Sequence, residues 1–253
     1  MPAIVGGPPR PATTGAMTTT PDPGDLYEAT RARFAATVRA AGDGLATRVP
    51  SAPAWTVQDT LAHVVGLCAD LNALRIPDPA DDPGGNAWTE AQVASRRGRP
   101  LDEVLAEWDV EAPRFADGLR AFGYDFGAHF VADLHCHHQD VRVALGLPPD
   151  DDPTTVAAAL HHYLTFADET LRANGWGGVR VRTELVERVV GDETDVRATV
   201  TADAFTLLRC LSAGRTRAQF RALEWDGDAD GAIAAIEAGF MGNYSFPAKE
   251  AER

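Results

Sequence analysis

Residues 133–146 read DLHCHHQDVRVALG and hold three of the chain's seven histidines, one cysteine and two aspartates. Imidazole, thiolate and carboxylate are the donors that divalent transition metals take. The stretch is therefore either a metal site or a histidine-rich helix surface, and helical geometry bears on the choice. At 100° per residue, with Phe130 as origin, Leu134, Val141 and Leu145 fall within roughly 60° and mark the core face. His137 lies about 20° to the other side of Phe130, with Asp133 and Asp140 a little further round. His129 continues the same stripe one turn earlier, whereas His135 and His138 fall on the opposite flank. Asp133 and His137, four residues apart, thus stand together at the inner edge of the helix.

A second imidazole is placed in a similar way. His63, in LAHVVGL, shares its azimuth with Leu67 and Leu74. A lone histidine on such a face is usually a hydrogen-bonded core residue. Set beside Asp133 and His137 on another inward edge, it completes two imidazoles and one carboxylate drawn from two helices. Such a trio leaves a coordination position open and suits Zn²⁺ or another divalent ion. Asp140, one turn from His137, would orient that imidazole. Cys136 lies about 100° away and is expected to pack rather than ligate. His161 and His162 are expected at surface or packing positions of a separate helix. The sequence contains no H-E-x-x-H, P-loop or G-x-S-x-G motif, so common protease, nucleotide-hydrolase and serine-hydrolase readings gain no support.

The elements that must hold these residues are legible in outline. Apolar periodicity predicts helices over 25–49, 57–74, 88–97, 101–122, 128–146 and 153–173. Thr56, with Asp59 three residues on, reads as the N-cap of the second, in a variant capping box. After about 174–178 the rhythm changes. VRVRTEL, ERVVG, VRATVT and FRALEW read as strands, and DAFTLLRCLSA and GAIAAIEAGF as helices. The expectation is an all-α bundle over 25–174 and a small α+β unit over 178–253. Residues 1–24, rich in Pro, Gly and Thr, are expected to form a disordered tail rather than a signal peptide, with Met17 an alternative start.

Composition narrows the function. A net charge of −14 repels phosphate backbones, and no basic cluster offsets it, so nucleic acid is not an expected partner. No apolar run approaches the roughly 20 residues needed to span a bilayer. Three widely spaced cysteines, Cys68, Cys136 and Cys210, imply no disulfide framework, and the cytoplasm is the expected compartment.

Three segments in order, PAWTVQDTLAHVVGL, WTEAQVASRRGRPLDEVLAEW and FVADLHCHHQDVRVALGLP, resemble the mycothiol-dependent maleylpyruvate isomerase-like family, within the DinB-like four-helix metalloenzymes. FTLLRCLSAGRTRAQFRALEWDGD resembles that family's C-terminal α+β domain, a sterol-carrier-like unit. The resemblance implies a DinB-like four-helix bundle followed by that domain. It also implies zinc held by a histidine early in the second helix and by an acidic-x3-His pair, positions filled here by His63, Asp133 and His137. Better-known members carry Glu in place of Asp133. One methylene shorter, Asp133 either binds at longer reach or yields its place to His129. An active-site arginine from the C-terminal domain is implied as well, and GRTRAQ offers Arg215 and Arg217, each alternatively a surface ion-pair residue.

By the same resemblance the co-substrate is mycothiol and the partner a small electrophile, in a monomer or homodimer. Zinc with three protein ligands holds a small thiol as its thiolate. The thiolate adds to an activated double bond, permits rotation about the resulting single bond and departs, which is cis–trans isomerisation. If the adduct is kept, the protein is an S-transferase. An arginine would hold the substrate carboxylate by a bidentate contact. The rival readings are a non-catalytic metal or small-ligand binding protein on the same scaffold, and a metal-free assembly module.

Overall fold

Side chains supplied by the sequence open the helices. In the computed structural model, which describes residues 20–78, 80–82 and 85–239, Asp22 accepts from the Asp25 amide at 2.9 Å and Pro23 fills the first position of α1 (Pro23–Ala40). Thr56 and Asp59 make the reciprocal capping box of α2 (Val57–Asn72), each accepting from the other's amide. Three helices follow, α3 (Asn86–Ala94), α4 (Leu101–Phe122) and α5 (Tyr124–Ala144). Asp152 caps α6 (Pro153–Asn174), which ends on Gly175 in the left-handed conformation. The tail expected before residue 25 lies, up to residue 19, outside the described residues.

Some boundaries differ from the sequence reading. The first helix stops at Ala40 rather than 49, because Gly42 takes a positive φ of 51° and Gly42–Ala46 tightens into a 3-10 turn. The chain then forms a two-stranded antiparallel pair, β1 (Arg48–Val49) and β2 (Ala52–Thr56), that periodicity did not signal. The second helix ends at Asn72, and Leu74 lies beyond it, exposed and with φ 56°, rather than on the inward edge with His63. The fifth helix begins at Tyr124, four residues before Ala128. Only Gly123, with φ 90°, separates it from α4.

The sheet runs β4–β3–β5–β6, with β3 (Gly178–Arg182), β4 (Glu187–Gly191), β5 (Val196–Thr201) and β6 (Glu224–Gly227). β3 and β5 are parallel and the outer pairs antiparallel, so Val179 faces Val190 on one side and Ala198 on the other. The segment FRALEW is not one strand. Phe220 and Arg221 complete α8 (Arg217–Arg221), whose Thr216–Gln219 capping box draws the chain into a helical turn before β6 begins. The remaining helices are α7 (Ala204–Leu211) and α9 (Ala229–Gly239).

Buried apolar side chains gather in two clusters. One joins Phe34 and Val38 of α1, Leu61 and Val65 of α2, Trp108 of α4, and Val131 and Leu134 of α5. The other joins Leu160, Leu164 and Leu171 of α6 to Val179, Val181 and Val200 of the sheet, with Leu207 of α7 and Ile233 of α9. Each such side chain contributes on the order of 1.5–3 kcal/mol by leaving water. The fold is α+β, mainly helical to Asn174 and sheet-containing after it. Helix α5 is the pivot, since Val131 packs into the first cluster and Ala132 into the second. No helix among the described residues is long and apolar enough to cross a membrane.

Candidate metal centre

The capping box at Thr56 fixes where α2 starts and so places His63 two turns into it, buried at 7% exposure. Its Nδ1 lies 2.9 Å from Oε1 of Gln92 on α3. The orientation of that amide follows from its other contact, because Gln92 Nε2 donates to Asp70 Oδ2 at 3.2 Å and a carboxylate only accepts. An amide oxygen facing His63 requires a proton on Nδ1. His63 Nε2 therefore keeps its lone pair. Asp70 is itself held by the Trp88 indole N–H at 2.8 Å and by Arg75. Gly66 makes this approach possible, since a Cβ there would lie 2.5 Å from Gln92 Cβ.

Across from His63, α5 presents Asp133 and His137, one turn apart as their spacing predicts. His137 Nε2 lies 3.5 Å from Asp133 Oδ1, and its Nδ1 lies 3.8 Å from Asp140 Oδ2. The rings of His63 and His137 meet edge to face at 4.8 Å, and the Trp55 indole lies 5.2 Å from the first and 6.3 Å from the second. One donor atom from each of His63, Asp133 and His137 lies within 4.8 Å of the others. That spread is wider than the roughly 3.4 Å between ligands of a tetrahedral ion with bonds near 2.1 Å. Asp133 and His137, with 30% and 23% of their side chains exposed, have the freedom to close it.

The electrostatics suit a cation. Burial, with His137 next in effect, pushes the His63 imidazole down to about 4, so it is neutral and able to ligate at pH 7. Burial alone would raise the Asp133 carboxyl, but the His137 imidazole beside it, with His63 and His129, holds it well below the usual carboxylate range. Two imidazoles and one ionised carboxylate are a donor set that fits zinc.

Other candidate residues stand elsewhere. His129 pairs with His162, 3.2 Å away, while Asp133 is the third member of the His63 cluster. His161 pairs with Asp125 at 2.8 Å. Cys136 is buried, with its thiol toward Ser212 and Tyr163. Arg217 pairs with Glu237 of α9 at 3.0 Å, and Arg215 lies in the electrostatic field of Arg209. Sequence reasoning passed over Arg209. Its guanidinium, 1% exposed, donates to Asp140 Oδ1 at 2.6 Å and to the Cys136 carbonyl at 3.4 Å, tying α7 to the helix of His137. Gln92 was also missed. The only local signal for either was a polar residue on an otherwise buried face.

A family model described as the mycothiol maleylpyruvate isomerase N-terminal domain matches residues 27–142, a span that includes His63, Asp133 and His137. No curated protein and no solved structure matches the chain.

Proposed function

Because residues 27–142 match the model of the mycothiol maleylpyruvate isomerase N-terminal domain, we propose that this protein is a zinc enzyme activating a low-molecular-weight thiol, mycothiol, for isomerisation of, or S-transfer to, a small electrophile. The observation that carries the reading is the meeting of His63, Asp133 and His137 from two helices. When bound there, zinc would supply the positive charge that favours a thiolate at neutral pH.

The chain's own residues prepare that place. Gln92 holds His63 with its lone pair on Nε2, and Asp140 stands on the Nδ1 side of His137, whose Nε2 faces Asp133. Arg209 neutralises and fixes Asp140, so the C-terminal half acts on the centre through a positioning residue. Trp55 walls one side of the two imidazoles and limits water there. A substrate carboxylate would be held by one of the two candidate arginines, Arg215 beside Arg209 or Arg217 on α8.

We take α1, α2, α4 and α5, around the first apolar cluster, as the DinB-like four-helix bundle. The sheet with α7 to α9 would be the sterol-carrier-like domain. We place the division at 174–178, where α6 ends, although its leucines pack against the sheet. Three unpaired, buried cysteines fit a cytoplasmic protein, monomeric or homodimeric.

The test is metal analysis of the purified protein, followed by a screen for mycothiol-dependent consumption of conjugated, carboxylate-bearing electrophiles. Turnover that needs both thiol and metal, and is lost in His137→Ala, supports the enzyme. Stoichiometric metal without turnover across the screen supports a binding protein instead.

A further inference from the structure

One pair of imidazoles outside the His63 centre is still without a role. His129 Nδ1 on α5 and His162 Nε2 on α6 lie 3.2 Å apart, with their rings perpendicular and 4.6 Å between centroids. They stand in a cleft lined by Phe126, Phe130 and Phe166, with the carboxylates of Asp125 and Glu169 at its edge. Two imidazole nitrogens sharing a tetrahedral ion at 2.0–2.1 Å stand about 3.3–3.4 Å apart. The observed separation is already that bite. For both lone pairs to meet on one ion, each must tilt about 35° from the line joining the nitrogens, half the supplement of the tetrahedral angle. His129 is exposed and free to make that rotation.

The surroundings favour a cation. The Asp133 carboxylate acts on both rings from the next turn of α5, and the chain carries a net charge of −14. Burial, with His129 next in effect, holds the His162 imidazole down to about 4, so the ring adds no positive charge to oppose an arriving ion. His129 and His137 are eight residues, about 12 Å of helix axis, apart. That is too far for the 3.5–4 Å spacing of a two-metal centre. We propose that His129 and His162 form a second, independent divalent-metal site for the borderline ions that imidazole prefers, such as Zn²⁺ or Ni²⁺. With only two protein ligands and water in the remaining positions, it binds more weakly than the three-ligand centre.

Calorimetric titration of the metal-free, full-length protein with Zn²⁺ tests this, with circular dichroism to show that each variant stays folded. Two equivalents are expected, the second at least tenfold weaker. His162→Gln and the surface change His129→Gln should each remove only the weaker one, and His137→Gln only the tighter. A single equivalent in the wild type at millimolar Zn²⁺ would show that the pair is a plain N–H···N hydrogen bond. A second equivalent that persists in the His129→Gln/His162→Gln double variant would place the ion elsewhere, and either result overturns the proposal. Both leave the tight site, and the function proposed for it, standing on separate evidence.

Discussion

Helix α5 carries histidines on two flanks that fare differently. On one, His137 keeps 23% of its side chain exposed and faces Asp133 and His63. On the other, His135 and His138 are fully buried. His138 stacks on Phe34 at 5.1 Å, its Nε2 meets the Thr37 hydroxyl at 2.9 Å, and its Nδ1 lies 3.2 Å from Asp150. Asp150 is in turn paired with Arg33 at 2.7 Å, and Gln139 donates to its carbonyl at 2.6 Å. This flank fastens the segment before α6 to α1 and α5. On the first flank His137 has a carboxylate near each nitrogen, and across from it His63 is held at Nδ1 by Gln92. The sealed pair serves packing, whereas the imidazoles that meet Asp133 are available for chemistry.

Mutations should separate the two flanks, the largest effect coming from the open one. His137→Ala should weaken metal binding by about a thousandfold or more, roughly 4 kcal/mol. The metal-free protein should lose less than about 1 kcal/mol of stability. Chelator competition and urea denaturation measure the two, and retained tight binding would erase the distinction. His138→Ala should do the reverse, costing about 3 kcal/mol of stability through a cavity and the polar groups left unpaired around Asp150. Its metal affinity should change less than about tenfold.

Gln92→Ala tests whether a second partner matters on the open flank. Loss of the His63 orienter should weaken metal binding about 10–100-fold, with little change in denaturation midpoint. If affinity is unchanged, the His63 tautomer is not fixed by Gln92.

The smallest effect is a pH dependence of the closed flank in metal-free protein. Burial holds the His135 imidazole down to about 3. A folded-state value below the unfolded one near 6.5 means that the unfolded chain takes up protons first as the pH falls. Stability is therefore fully present above about 6.5 and declines toward about 3, His135 alone accounting for about 1 kcal/mol between pH 7 and 5.5. Asp150, whose carboxyl would be raised by burial but is held low by His138 and Arg33, loses its contribution only as the pH falls into the usual carboxylate range and below it. Urea midpoints across pH 5.5–7 for the wild type and His135→Gln should diverge. Parallel profiles would mean that His135 takes up its proton without cost.

What the sequence determined was what one helix can say about itself. The capping box at Thr56 and Asp59, the full extent of α4 and the shared edge of Asp133 and His137 all depend on residues within four positions of each other, and the structure keeps them. Local pattern failed where two signals competed. Apolar periodicity ran on past Ala40 against the Gly42 turn, and FRALEW alternated like a strand inside the reach of the Thr216 cap. Tertiary structure alone decided which histidines are sealed and which are left open. Gln92 meets His63 across 29 residues of sequence, Arg209 meets Asp140 across 69, and Thr37 meets His138 across 101. Helical spacing assigns a side chain to a face, but it is the packing of distant elements against that face that supplies its hydrogen-bond partners and removes its water.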